Sequence, residues 1–174
     1  RVLVQGTGGV SLFALQFAKL HGAHVIVTSS SDEKLQRAVS LGADEGLNYV
    51  STPEWGKEVR RMAGADGVDL IIEVGGQKTL PQSLRTIRAG GTISLIGVLS
   101  GLNMDVSLGL IVIRKVRLQG ITVGNRDGME AMMRAISQHT VKPVIDRIFT
   151  FEELREALDY LSRGVHFGKV CIRH

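Results

Sequence analysis

Gly6-Thr7-Gly8-Gly9-Val10-Ser11 stands between an apolar run and a helical pattern. That spacing suits one piece of chemistry, the holding of a phosphate. Gly6 would permit a tight turn, and Gly8 would let the backbone approach a pyrophosphate. A helix opening at Gly9 and Val10 would offer free N–H groups and the positive end of its dipole. The third glycine of the usual G-x-G-x-x-G is Ser11 here, small enough to keep helix against strand. An ordinary strand–helix turn is the competing reading. The strand–loop–helix context favours a dinucleotide loop.

A second group decides which dinucleotide. In folds that bind NAD, an acid about 20 residues past the glycines holds the ribose 2′-hydroxyl. Thr28-Ser29-Ser30-Ser31 occupies that place, and Asp32, the first acid, falls in the first turn of a predicted helix. Serine hydroxyls with Lys34 suit a 2′-phosphate, a dianion that a carboxylate would repel. A bound phosphate would also account for a cation near a helix N-terminus, where the dipole disfavours it. NADP(H) is therefore favoured over NAD(H), against the alternative of a capping serine run beside a solvated lysine.

No side chain is required to act as acid, base or nucleophile, so no catalytic residue is assigned. No metal site is expected either. His21 and His24 straddle Gly22 and share no helix face, and His139, His166 and His174 have no ligand-like partners in sequence. Cys171, in an apolar closing run, reads as a structural thiol. Trp55 reads as a packing residue. Tyr160-Leu-Ser-Arg-Gly164 lacks the Tyr-x-x-x-Lys of short-chain dehydrogenases.

Elements that would position these groups alternate along the chain. Apolar runs at Val2–Gln5, His24–Thr28, Leu47–Val50, Val68–Val74, Thr92–Ile96 and Val116–Val123 read as strands. Helical patterns begin at Val10, at the Ser31 cap and at Pro53; one runs through Leu80, Leu84 and Ile87, and another spans Gly128–Gln138. Strands that are apolar on both faces and separated by helices imply right-handed βαβ units. The predicted class is α/β, a Rossmann-type doubly wound parallel six-stranded sheet of order 3-2-1-4-5-6, whose ligands bind at the carboxyl ends of the strands. Residues 1–141 form the expected dinucleotide-binding domain. Residues 142–174 form a strand–helix–strand, its helix opened by the capping box Thr150-Phe151-Glu152-Glu153.

Composition bounds the rest. The chain has 174 residues, 44% apolar and 22% charged, enough for one buried core and incompatible with disorder. One cysteine excludes a disulfide scaffold, and a net charge of +4 is too mild to imply nucleic acid. No apolar run approaches a membrane span and no signal peptide is read, so the expected location is cytoplasmic. The chain opens without Met, directly into its first strand. It reads as a fragment whose N-terminal neighbour is missing.

Several motifs together resemble the cofactor domain of the medium-chain dehydrogenase/reductase superfamily, nearest its quinone-reductase-like branch. They are Val4 to Val10, Thr28 to Lys34, Leu41-Gly42-Ala43-Asp44, Asn48-Tyr49, Gly90-Gly91-Thr92 and Phe167-Gly168-Lys169-Val170. The resemblance implies that Gly8, Gly9 and Val10 bind the pyrophosphate, and that Ser30, Lys34 and Tyr49, beside Ser29, meet the 2′-phosphate and adenosine. Val74 and Gly75 would line the nicotinamide ribose. Ile96, Gly97 and Val98 would pack along the nicotinamide, and Val123, Gly124 and Asn125 would close over its carboxamide end. It implies an oxidoreductase whose small-molecule substrate reaches the cofactor through the missing catalytic domain. Residues 142–174 would pack back on that domain, and any zinc would belong to it, none being expected in this fragment. A homodimer would form through strand 116–123. Two other classes stay open: a non-enzymatic nucleotide-sensing module and a methyltransferase-like domain.

Overall fold

The computed structural model describes residues 1–103 and 105–174. Its main sheet is parallel and six-stranded, in the order β3-β2-β1-β4-β5-β6, as the alternation of runs and helices predicts. The strands are β1 (Val2–Gln5), β2 (Val25–Ser29), β3 (Glu45–Asn48), β4 (Val68–Glu73), β5 (Ile87–Leu95) and β6 (Arg117–Gly120). The central strands are buried along their whole length in β1 and β2, which is why they read as unbroken apolar runs. Helices α1 (Gly9–Leu20), α2 (Asp32–Ser40), α3 (Trp55–Met62), α4 (Leu80–Thr86), α5 (Leu108–Arg114) and α6 (Arg126–His139) follow the strands. Two apolar clusters form, one around Leu3, Ile26, Val59, Leu84 and Ile93, the other around Val4, Leu15, Val27, Ala38 and Phe167.

Several elements differ from the predicted ones. β3 lies two residues earlier than the Leu47–Val50 run, because Val27 and Thr28 pair with Gly46 and Leu47 while Tyr49 and Val50 are exposed. The fourth helix stops at Thr86, and Ile87 opens β5; Val68 pairs with Ile87 and Leu70 with Thr92, so residues 88–91 bulge out of register. Gly90-Gly91 serves that bulge, Gly90 at φ +73°. β6 ends at Gly120, short of Val123, and α5 precedes it where no helix is predicted. Pro53 lies before α3, whose N-cap is Glu54.

Residues past α6 form a separate parallel pair, β7 (Ile145–Thr150) and β8 (Lys169–Arg173), joined by α7 (Leu154–Ser162). This unit docks on the first two helices. Gln16 Nε2 donates to Lys142 O at 2.9 Å, and Arg37 pairs with Asp146 at 3.2 Å. The Arg37 guanidinium stacks 4.1 Å over the Phe167 ring. Gly168 N donates to Thr7 O at 2.9 Å, tying β8 to the glycine loop itself.

Candidate functional site

The carboxyl ends of β1, β2, β4 and β5 open on one crevice of about 420 Å³. Its floor is the glycine loop. Gly6 takes φ +74°, a left-handed turn that a side chain would strain. Gly8 has nothing within 4 Å of where a Cβ would stand. α1 starts there with neither a capping side chain nor an acid in its first turn. No side chain occupies the opening N–H groups of α1, whose first residues line the crevice, and the dipole leaves that end positive. Ser11 is buried and its Oγ donates to Gln5 O at 2.7 Å, so the third glycine position is a short hydroxyl that bonds helix to strand.

The β2 end supplies the next wall. Ser29 is buried, its Oγ accepting from Ser31 N at 3.3 Å, while Ser30 is exposed at the rim. Ser31 caps α2 by accepting from Lys34 N. Lys34 Nζ donates to Gly164 O at 2.8 Å, and burial holds its pKa below the usual lysine value. Asp32 does not face the crevice: its Oδ1 accepts from Asn48 Nδ2 at 2.8 Å, and it borders a different surface hollow.

Of the residues singled out in the sequence, Gly6, Gly8, Gly9, Val10, Ser29, Ser30, Lys34, Tyr49, Val74, Ile96 and Gly97 line this crevice together. Gly75 lines an adjoining hollow of about 530 Å³ that shares Tyr49 and Val74. Val98 stands outside both hollows, half exposed. Val123, Gly124 and Asn125 also lie outside them, past the end of β6; Val123 is 90% exposed, and Asn125 caps α6 by accepting from Gly128 N at 2.8 Å.

Three residues at this site receive no cofactor role from the sequence, although Lys169 stands in one of the motifs that carry the resemblance. Lys169 lays its side chain across the glycine loop, and a Cβ on Gly9 would come within 2.5 Å of its Cδ and Cε. His166 lines the crevice with a buried Nδ1 that has no hydrogen-bond partner among the described residues. Glu73, fully buried at the end of β4, accepts from Gln5 Nε2 at 2.8 Å, Ser83 Oγ at 2.6 Å and Thr79 Oγ1 at 2.5 Å, and from the N–H groups of Gly75 and Gly76. It sets the loop that bounds the second hollow. The uncapped helix, the open face at Gly8, the cation over Gly9 and the orphaned imidazole nitrogen all fit a bound dinucleotide. Among the described residues no three His, Cys, Asp or Glu gather to hold a metal ion, so these residues do not fit zinc. No described helix is long and apolar enough to cross a membrane.

Residues 9–138 match the family described as zinc-binding dehydrogenase. The zinc-type alcohol dehydrogenase-like protein C1773.06c of Schizosaccharomyces pombe is 44% identical over 99% of this chain and 51% of its own length. A crystal structure from Sinorhizobium meliloti, assigned to the alcohol dehydrogenases, superposes with a TM-score of 0.94 at 47% identity, covering all of this chain and 50% of the other. A structure of an NAD-dependent alcohol dehydrogenase gives 0.92 at 34%, covering 99% and 50%. The chain spans about half the length of the relatives it matches.

Proposed function

Since this chain belongs to the zinc-binding dehydrogenase family, within the medium-chain dehydrogenases/reductases, we propose that it is the nucleotide-binding half of an oxidoreductase that takes NADP(H) in preference to NAD(H). The observation that carries the preference is the β2 end. The first acid after the serine run, Asp32, is turned onto Asn48, while Ser29, Ser30 and Lys34 line the crevice. A carboxylate aimed there would favour a ribose hydroxyl and repel a 2′-phosphate. The NAD dependence of one 34%-identical relative is the outcome against which this reading is tested.

Bound nicotinamide supplies the hydride chemistry, to or from a carbonyl, quinone, activated alkene or alcohol. This chain binds and orients. The α1 N–H groups and Lys169 hold the diphosphate, Tyr49 flanks the adenosine, and Val74, Gly75, Ile96 and Gly97 bound the nicotinamide side, with Val98 outside the hollows in this structure. Val123, Gly124 and Asn125 would reach the carboxamide end only once the segment after β6 folds over it. The substrate enters from a partner domain outside residues 1–174, against which residues 142–174 also pack. β6 is the outermost strand of the sheet, and pairing of two copies through it would make a homodimer; small-angle scattering of a compact monomer would overturn that assignment.

Calorimetric titration of the full-length protein tests the preference. NADPH is expected to bind more tightly than NADH, and Lys34→Ala to weaken NADPH by about 1–3 kcal/mol, the range for a charge-assisted bond. Tighter binding of NADH would overturn the reading.

A further inference from the structure

We propose that His166 forms, with Lys34, the recognition site for the 2′-phosphate, and that its imidazole takes up a proton when that phosphate binds. The inference rests on the NADP(H) reading above and deepens it.

Position comes first. The loop between α7 and β8 folds onto α2. Lys34 Nζ holds Gly164 O, Phe167 lies under Arg37, and Gly168 is tied to Thr7. These contacts fix His166 at the crevice rim on the β2 side, beside Lys34. An ammonium has three donors, and Lys34 spends one on Gly164. Two remain for a ligand.

The imidazole is unfinished. Its Nδ1 is buried and has no hydrogen-bond partner among the described residues, a state that costs free energy and that a small rotation of the ring toward the crevice would relieve. Two charged groups act on it from neighbouring elements. Lys34 on α2 opposes protonation, and Asp146 on β7 favours it. Asp146 is itself engaged by Arg37 at 3.2 Å and by Tyr160 Oη at 2.6 Å, and its pull on the ring is outweighed by burial and Lys34. Burial, with Lys34, holds the imidazole below its ordinary pKa. Free protein therefore presents a neutral ring at neutral pH. A phosphate dianion between the two groups reverses the balance. The ring's bare nitrogen takes a proton from hydronium or the buffer acid, one N–H bond forming as the acid's bond to that proton breaks, with no change of oxidation state, and the imidazolium donates a charge-assisted hydrogen bond. NADH, without that phosphate, brings no such charge.

Isothermal titration of the full-length protein, in two buffers of different ionisation enthalpy at neutral pH, reads the proton directly. NADPH binding is expected to take up a proton and NADH binding to take up none. NADPH affinity should rise as pH falls through neutrality, by up to about tenfold for each unit by which the phosphate raises the imidazole's pKa. His166→Asn and His166→Gln should abolish the uptake and lower the ratio of NADPH to NADH affinity by about tenfold. Circular dichroism melting of both variants checks that they fold, and their own pH series removes the titration of the phosphate itself. NADPH preferred, with no proton uptake or with uptake unchanged in both variants, overturns the role of His166 and leaves the NADP(H) reading standing. NADH bound as tightly as NADPH or more so overturns both.

Discussion

A carboxylate with no solvent access and no cation beside it is expensive unless hydrogen bonds replace the water it has lost. Glu73 meets that demand with hydroxyls of Thr79 and Ser83, the Gln5 amide and two backbone N–H groups. Removing it takes the acceptor from the Ser83 hydroxyl and the Gly75 and Gly76 N–H groups, while Gln5 keeps Ser83 Oγ and Thr79 keeps Gly76 O. Each buried orphan costs about 1–3 kcal/mol, so Glu73→Ala should lose at least ~3 kcal/mol, read as a lower denaturant midpoint. Glu73→Gln, which keeps one acceptor oxygen, should lose less. Nothing at position 73 announces this in the sequence. It ends an apolar run, and its side-chain partners lie on β1 and in or just before α4, as far as 68 residues away. The glycine loop is different: its chemistry belongs to consecutive residues, so Gly6 to Ser11 are legible as they stand. Lys34 is legible by type and spacing, whereas His166 reaches the same crevice, and Lys169 the glycine loop, only through a chain reversal more than 120 residues later.

At the scale of elements, the tie between β8 and the glycine loop turns on Gly168. It sits at φ +89°, and a Cβ there would meet Val144 O at 2.3 Å, a backbone atom that cannot swing away. Gly164, in the same loop, has φ +63° but open space around it. Gly164→Ala should therefore cost only the left-handed strain, about 1–2 kcal/mol. Gly168→Ala should cost more, and should also weaken dinucleotide binding, because His166 and Lys169 flank it. Equal denaturant midpoints for the two variants would contradict this. The same scale shows why some elements escaped prediction. Six strands and their order follow from periodicity that each strand carries within itself. The early start of β3, the bulge in β5 and the short β6 follow from pairing with neighbours, which no single run encodes. α5 escaped because Leu108 to Ile113 are apolar all round apart from Gly109, so no polar face alternates with an apolar one to mark a helical period.

For the whole molecule, ion pairs in the main domain and at the docked C-terminal unit make stability depend on pH in two windows. Hydrogen bonding from Lys19 holds the Asp44 carboxyl below the usual range, with help from Val25 N–H. At Asp146 burial pushes the pKa up, but bonds from Tyr160, Arg37 and Phe167 N–H outweigh it and the net shift is downward. A depressed carboxyl binds fewer protons folded than unfolded, so its contribution is complete above about 3.9 and is lost as pH falls through the folded value. His166 is also depressed, by burial first, and follows the same sign at higher pH. Its contribution is complete above about 6.5 and is lost as pH falls through its folded value. Acidification should thus lower the melting temperature gently below about pH 6.5 and steeply below about pH 4. Thermal melts across pH check both steps. His166→Gln should remove the upper step and leave the lower. Asp146→Asn should flatten part of the lower one, because Asp44, held by Lys19 on the opposite side of β2 from the crevice, titrates on its own.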